Sequence, residues 1–465
     1  LHDSGKHAAT LEPISFMTSP MPTDFVPPFP ERRVGRQSLL SNIRSFRRNM
    51  LSVWLAGQYS SDFFSSQVLR RRIFVCNSPE TVREAFVEKA QAFERKSPQM
   101  RHALEPLLGD GLFVSDGLVW KERRRAVAPV THVSRLAELT PVMSDVAAEW
   151  AAAWRALPDG SEIDALEQMA EMTAEIICRT LFGRELGSAA AQTVVRAFTT
   201  YQARIGQTAL GAMLRLPDWL PRLDGFFVRG EVRRIHAVLD TLIANVLASS
   251  HEPSLVRAMA ERGAMDATAL RNEAATLFMA GHETTANTLA WCWYLLSQSP
   301  WAEARLAEEA RAVLGGRVAE YADVERLPYA RAVIEEALRL YPPVPLLARE
   351  AAEDTSIAGN AVAAGSLVLV IPWLLHRNPR LWDKPDHFRP ERFLGEAPPR
   401  YTYVPFSLGP RVCTGQQFGL TEAIIGLATL VQEFSLSLRP GHAVMPVSRL
   451  TLRPGEHLPM RLRRR

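Results

Sequence analysis

The sequence predicts a mainly helical protein with a smaller β region. Three observations carry that prediction. Through most of the chain apolar residues return every three to four positions, the spacing of one helix face. One run, Asp266 to Gln298, is apolar on nearly all sides, as expected of a helix buried all round. Between Val344 and Pro372 the pattern changes to Val, Leu and Ile alternating with Gly and Asn, which reads as short strands.

In chain order, Ile73–Cys76 is rich in β-formers, and Asn77–Ser78–Pro79–Glu80 then opens a helix with a cap residue and an early Pro. Ser134 is the expected cap of the next run, which ends at Pro158–Asp159–Gly160. Ala165–Phe182 is a helix closed by Gly183. Ala189–Ala203 and Phe227–Ser249 follow, with Pro217–Asp218–Trp219–Leu220–Pro221 as a loop between them that could flank a pocket. At 1.5 Å per residue the Asp266–Gln298 run spans about 45 Å, enough to cross the molecule. A helix over Ala330–Leu340 stops at Tyr341–Pro342–Pro343. Gln416–Phe434 returns to helix, and Val447–Leu462 reads as a hairpin around Pro454–Gly455.

Composition narrows the function classes. Of 465 residues, 47% are apolar and 22% charged, which excludes a disordered or collagen-like chain. Lys plus Arg exceed Asp plus Glu by 54 to 50, too small an excess to indicate a nucleic-acid partner. The four cysteines, Cys76, Cys178, Cys292 and Cys413, lie far apart with no CxxC spacing. That argues against a zinc site or a disulfide framework and suits a reducing cytoplasm. Residues 1–30 hold no apolar core for a signal peptide or anchor and are expected to be a disordered extension. Thr284–Ala302 lacks charges but holds too many polar residues for a membrane span. A dinucleotide GxGxxG, a phosphate-binding GxxxxGK[ST] and a GxSxG elbow at Ser407 are absent. His282–Glu283 does not extend to HExxH, because Ala286 stands where the second His would.

The informative segment is Phe406–Ser–Leu–Gly409–Pro–Arg411–Val–Cys413–Thr–Gly415. Two glycines bracket a cysteine just before a helix, and glycine permits tight turning and close approach. A cysteine near a helix N-terminus beside an arginine has a favoured thiolate. With no second cysteine near, a single axial ligand to haem iron is more natural than a cluster. The pattern F-x-x-G-x-R-x-C-x-G resembles the haem-binding loop of the cytochrome P450 family of haem-thiolate monooxygenases. The stretch from Cys413 to Ala423 also looks like the haem domain of bacterial fatty-acid hydroxylases.

Three further motifs stand in that family's order. Ala280–Gly281–His282–Glu283–Thr284–Thr285 resembles its oxygen-activating acid–alcohol pair, with Glu283 and Thr284 in the catalytic roles. Glu336–Ala–Leu–Arg339, followed by Phe388–Arg389–Pro390–Glu391–Arg392–Phe393, resembles its helix motif and later arginine. By that resemblance Glu336, Arg339 and Arg392 form a buried ionic triad that supports the haem loop. Trp120 and Arg124, four apart on one helix face, resemble its propionate-binding pair, and Arg411 and Arg349 are expected to join them.

The resemblance implies the cytochrome P450 fold as one unit over residues 31–465, with haem b between the long central helix and the Cys413 loop. It implies hydroxylation of a hydrophobic small molecule by dioxygen and two electrons. Thr276, Ala280, Val344, Leu346, Leu347, Val447 and Leu450 are the expected substrate pocket, and the loops around Ser97–Phe113 and Pro217–Pro221 its entrance. The chain carries no flavin, nicotinamide or iron–sulfur motif. Electrons are therefore expected from a separate acidic ferredoxin or flavodoxin with its reductase, docking near Lys121, Arg123 and Arg125. A cytoplasmic monomer with no membrane anchor completes the expectation. A peroxide-using haem-thiolate enzyme and a non-enzymatic haem sensor are the alternatives.

Overall fold

The computed structural model describes residues 25–35, 41, 45, 49–68, 70–183, 195–198, 200–201, 224–249, 253–263, 265–448 and 450–465. The Pro217–Pro221 loop, residues 1–24 and most of the Ala189–Ala203 run lie outside the described residues.

The N-terminal half begins with strands β1 (Phe63–Val68) and β2 (Arg71–Cys76) and helix α1 (Pro79–Arg83). Ser78 caps α1 and Pro79 opens it, as the sequence predicts. After β3 (Arg95–Lys96) come α2 (Pro98–Leu108), α3 (Gly117–Val127) and α4 (Leu136–Ala156). Ser134 is not the cap of this last helix: it lies in a short 3-10 turn, Val133–Arg135, whose cap is the side chain of His132. Strand β4 (Glu162–Asp164) leads into α5 (Ala165–Phe182), capped by Asp164 and ended by Gly183 at φ 108°. Helices α6 (Asp224–Ala248) and α7 (Leu255–Glu261) follow.

Helix α8 (Ala267–Ser297) is the predicted central helix, with Asp266 accepting from the Ala269 N–H as its cap. It packs against α2, α5, α6 and three later helices: α9 (Pro300–Leu314), α10 (Pro328–Leu340) and α12. That environment explains why polar solvent-facing positions are so few along it. Strands β5 (Leu347–Glu350), β6 (Thr355–Ile357), β7 (Asn360–Val362) and β8 (Leu367–Val370) fill the Val344–Pro372 region, before the short α11 (Pro372–Leu375). Helix α12 (Gln416–Val431) stops short of Phe434, which opens strand β9 (Phe434–Leu438). The predicted terminal hairpin splits. Strands β10 (Val447–Ser448) and β11 (Leu452–Arg453) pair with each other, while β12 (Pro459–Arg464) pairs with β4 and β9. The apolar alternation of this tail serves two partners, so one turn at Pro454–Gly455 does not describe it.

The main sheet has the order β1-β2-β8-β5-β3, with only β2 and β8 parallel. One apolar core runs from Leu51 to Leu462, and a second cluster sits between this sheet and the cysteine loop, including Phe86 and Leu408. Residues 25–30 are not a free extension: Phe25 and Phe29 pack on the core, and Tyr341 Oη donates to the Pro28 carbonyl at 2.7 Å.

Candidate active site

Four residues of α8 escape full burial in its middle: Leu277, Ala280, Gly281 and Thr284. Their spacing of three, one and three puts them on one helix face. That face opens on a cavity of about 280 Å³, lined also by Cys413, Thr414 and Gly415. Helix α8 and the cysteine loop are thus two of its walls.

The loop has a defined shape. Cys413 N–H donates to the Phe406 carbonyl at 2.9 Å, closing a turn around Gly409–Arg411. Gly409 has φ 65°, and a Cβ there would lie 2.1 Å from the Phe86 carbonyl oxygen. Its glycine therefore serves close packing against the neighbouring chain and does not line the cavity. Gly415 does line it, with open space where a Cβ would stand. Gly281 also faces the cavity, but its tight contact is with Ile177 of α5, 3.0 Å from where a Cβ would be. Ser407 adopts φ 61°, a left-handed conformation usually left to glycine.

Cys413 is the exposed cysteine, and its free surface belongs to the cavity wall. Burial pushes its thiol up, while the Gly415 N–H and the Arg124 charge favour the thiolate. Cys76, Cys178 and Cys292 are buried and absent from the wall. Burial pushes Cys76 up to about 12 and the other two further. They remain small core hydrophobes.

Four cations line the same cavity: Lys96, Arg124, Arg349 and Arg411. Arg124 donates to the Val412 carbonyl at 2.7 Å, and Arg411 stacks 4.4 Å from the Trp120 ring. Burial and the neighbouring Arg411 charge bring Arg349 down to about 9, and burial brings Arg411 to about 10. Lys96 falls well below its ordinary value by burial and by the charges of Arg349 and Arg411. Lys96 and Arg349 are direct cross-strand partners of β3 and β5. Like charges placed so are destabilising unless an anion lies between them. The buried Nε of Arg411 has no hydrogen-bond partner among the described residues. Arg411 is partly neutralised by Asp116 at 3.1 Å, but Lys96, Arg124 and Arg349 have no carboxylate partner among the described residues, and the two propionates of a haem are anions that would supply one. An apolar slot, one thiol and four converging cations therefore fit that group. Lys96 is not legible in the sequence, because only the β3–β5 pairing reveals its place.

On α8, Thr284 Oγ1 donates to the Ala280 carbonyl at 2.6 Å, which leaves its lone pairs facing the cavity. Glu283 also lines the cavity and is only 5% exposed. It forms an ion pair with Arg453 of β11, with Nε to Oε1 at 2.9 Å. The next hydroxyl, Thr285, lies beside Glu422 of α12, whose carboxyl burial raises well above its ordinary range.

The expected substrate residues separate in one instance. Thr276, Ala280, Val344, Leu346, Leu347 and Leu450 line the cavity, joined by Met100, Leu104, Leu112 and Phe113 from the Ser97–Phe113 region. Val447 does not: it pairs with Arg453 in the β10–β11 ladder and leaves the wall to Leu450 and Thr451 at the turn.

Glu336, Arg339 and Arg392 do meet. Arg339 and Glu336 are wholly buried and bidentate, at 2.7 and 2.8 Å, and Arg392 Nε reaches Glu336 Oε1 at 3.1 Å. Arg339 also donates to the carbonyls of His376, Pro385 and His387, so no guanidinium edge is left unpaired. His376 extends this network to the cysteine loop by accepting the Val404 N–H at 2.9 Å.

One residue of the expected docking set does not face outward. Lys121 and Arg125 are exposed, but Arg123 turns inward to Asp110 at 2.6 Å and Glu273 at 3.7 Å. Helical spacing explains this, since residue 123 lies on a different face from 121 and 125.

Comparison with known proteins identifies the family. The family model described as Cytochrome P450 matches residues 27–457. The chain is similar to Cyclooctatin synthase of Streptomyces melanosporofaciens, 33% identical over 83% of this chain and 85% of that protein. It is 30% identical to Cytochrome P450 97B2, chloroplastic, of Glycine max, over 78% and 74% of the two chains. Carotene epsilon-monooxygenase, chloroplastic, of Arabidopsis thaliana is 31% identical over 78% and 72%.

Proposed function

The chain belongs to the cytochrome P450 family and is a monooxygenase that binds haem b through a cysteine thiolate; from that premise we propose that it hydroxylates an apolar small molecule, using dioxygen and two electrons from a separate protein. The carrying observation is the single cavity wall that joins Cys413 and four cations to the Glu283–Thr284 step of α8.

When bound, the haem supplies dioxygen binding and cleavage of the O–O bond. The chain supplies the rest. Cys413 would be the sulfur that holds the haem, its thiolate favoured by the Gly415 N–H and the Arg124 charge. Lys96, Arg124, Arg349 and Arg411 would hold the propionates, with Trp120 packed on Arg411. Met100, Leu104, Phe113, Leu346 and Leu450 seat the substrate and keep water out. The Thr284 hydroxyl passes a proton into this dry space, and Glu283 replenishes it. One relative is named a carotene epsilon-monooxygenase, and the apolar cavity wall here supports an apolar substrate for this chain as well.

Electrons arrive at the outer face of α3, whose inner face carries Trp120 and Arg124. Leu118, 75% exposed, and Val119 form an apolar centre beside Lys121 and Arg125. Such a surface suits an acidic ferredoxin or flavodoxin.

A ligand panel scored by the haem spin-state shift identifies a substrate. With ferredoxin, reductase and isotopically labelled dioxygen, the product should then carry one labelled oxygen. Turnover with hydrogen peroxide but none with dioxygen and reductant would replace this reading by a peroxygenase. No consumption of reductant with any bound ligand would replace it by a haem sensor.

A further inference from the structure

Glu283, Asn287 and Trp291 recur every four residues and share one face of α8. All three are fastened to the β10–β11 hairpin. Glu283 pairs with Arg453, Asn287 Nδ2 donates to Thr451 Oγ1 at 2.9 Å, and Trp291 Nε1 donates to the Leu452 carbonyl at 3.3 Å. The hairpin is anchored from behind as well: Leu452 N–H donates to the Pro343 carbonyl at 3.0 Å, and Asn49 Nδ2 to the Pro446 carbonyl at 2.7 Å. Its turn residues Leu450 and Thr451 line the cavity. The substrate-facing turn and the acid of α8 therefore belong to one clamped unit.

We propose that Arg453 is a positioning residue for the reaction, fixing the Glu283 carboxylate on the hairpin and transmitting to it how well a substrate fits against Leu450 and Thr451. A carboxylate held by a guanidinium keeps one orientation, so the Arg453 contact sets whether Glu283 stands where it can relay a proton from water to the Thr284 hydroxyl. Two Arg453 nitrogens, Nε and Nη2, reach the Glu283 carboxylate. A substrate that seats poorly on Leu450 and Thr451 leaves the proton path misaligned, and reducing equivalents are then lost to peroxide.

This inference rests on Glu283 serving as the proton carrier, and the experiment separates the two. Product formed per reducing equivalent and the solvent hydrogen isotope effect are measured for Arg453→Gln, Arg453→Lys, Glu283→Gln and the Arg453→Gln/Glu283→Gln pair. Haem content, the reduced carbon monoxide band and the ligand-induced spin-state shift are the controls for folding. We expect Arg453→Gln to lower product per reducing equivalent about tenfold, within the range for disturbed acid–base catalysis. It should change the isotope effect, and Arg453→Lys should restore much of the yield. In the Glu283→Gln background it should add little, since the two act as one unit. Wild-type yield and isotope effect in Arg453→Gln, or full additivity with Glu283→Gln, would overturn the inference while leaving the acid in place. A silent Glu283→Gln would overturn both. If Arg453→Gln loses haem, Arg453→Lys decides, because that change keeps the charge but removes the two-nitrogen contact: an isotope effect shifted from the wild-type value supports the inference, and a wild-type isotope effect overturns it.

Discussion

Glu273 on α8 is the residue whose chemistry departs most from its sequence appearance. It is wholly buried, accepts the Leu112 N–H at 2.8 Å, and leaves its second oxygen without a partner among the described residues. Burial raises its carboxyl to about 7, against the lowering effects of Leu112 N–H and Arg123. A folded-state value above the unfolded one means the folded protein binds this proton more tightly. Its stabilising contribution is present at low pH and is lost as pH rises through about 7. Relative to Glu273→Gln, the wild type should therefore gain roughly 2–3 kcal/mol between pH 7.5 and 5. Denaturant unfolding of both proteins across that range checks the sign. Glu273 was not legible because an acid in a helix is ordinarily a solvated one. The places of Cys413, Thr284 and Arg411 on the cavity wall were legible because the motifs around them resemble those of a known family. Ser407 shows the opposite case: its left-handed backbone is a property of the turn, and relieving it with Ser407→Gly should stabilise the protein by about 1 kcal/mol on thermal unfolding.

At the scale of elements, the network of α10 carries the cysteine loop. Arg339 joins α10 to the 385–387 backbone and to His376, and His376 holds Val404 just before Phe406. Burial and the Arg339 and Arg377 charges push His376 well below its ordinary value, so it is held neutral. A neutral ring can accept the Val404 N–H while donating to the Arg339 carbonyl. Replacing Arg339 by Met strands the buried Glu336 charge and should cost about 3–5 kcal/mol, with haem content falling in parallel. Normal stability and haem loading in that variant would refute the scaffold role. The Glu336–Arg339 spacing was readable, but its carbonyl partners were not, since backbone groups have no signature in sequence. Helix α5 was legible from its apolar spacing and the Gly183 that closes it, while its Asp164 cap is seen only in the structure. The tail was not, because a strand's partner is chosen by tertiary packing: β12 goes to β9 and β4, far from the hairpin its sequence suggests.

At the scale of the molecule, α3 presents one face to the cavity and another to solvent. Trp120 and Arg124 look into the cavity, and Leu118, Lys121 and Arg125 look out. Reversing charge at Lys121 and Arg125 should slow reduction by an acidic donor and flatten its salt dependence, read by stopped-flow at several ionic strengths. The same change at Arg123 should instead disturb Asp110 and Glu273. Among the described residues no helix is long and apolar enough to cross a membrane. The proposed chemistry requires that Cys413 be the sulfur ligand of a haem held by Lys96, Arg124, Arg349 and Arg411. The direct measurement is the absorption spectrum of the reduced carbon monoxide complex in the wild type and in Cys413→His. The account predicts a strongly red-shifted Soret band in the wild type and its disappearance in the variant. A variant that binds haem and keeps that band would contradict it.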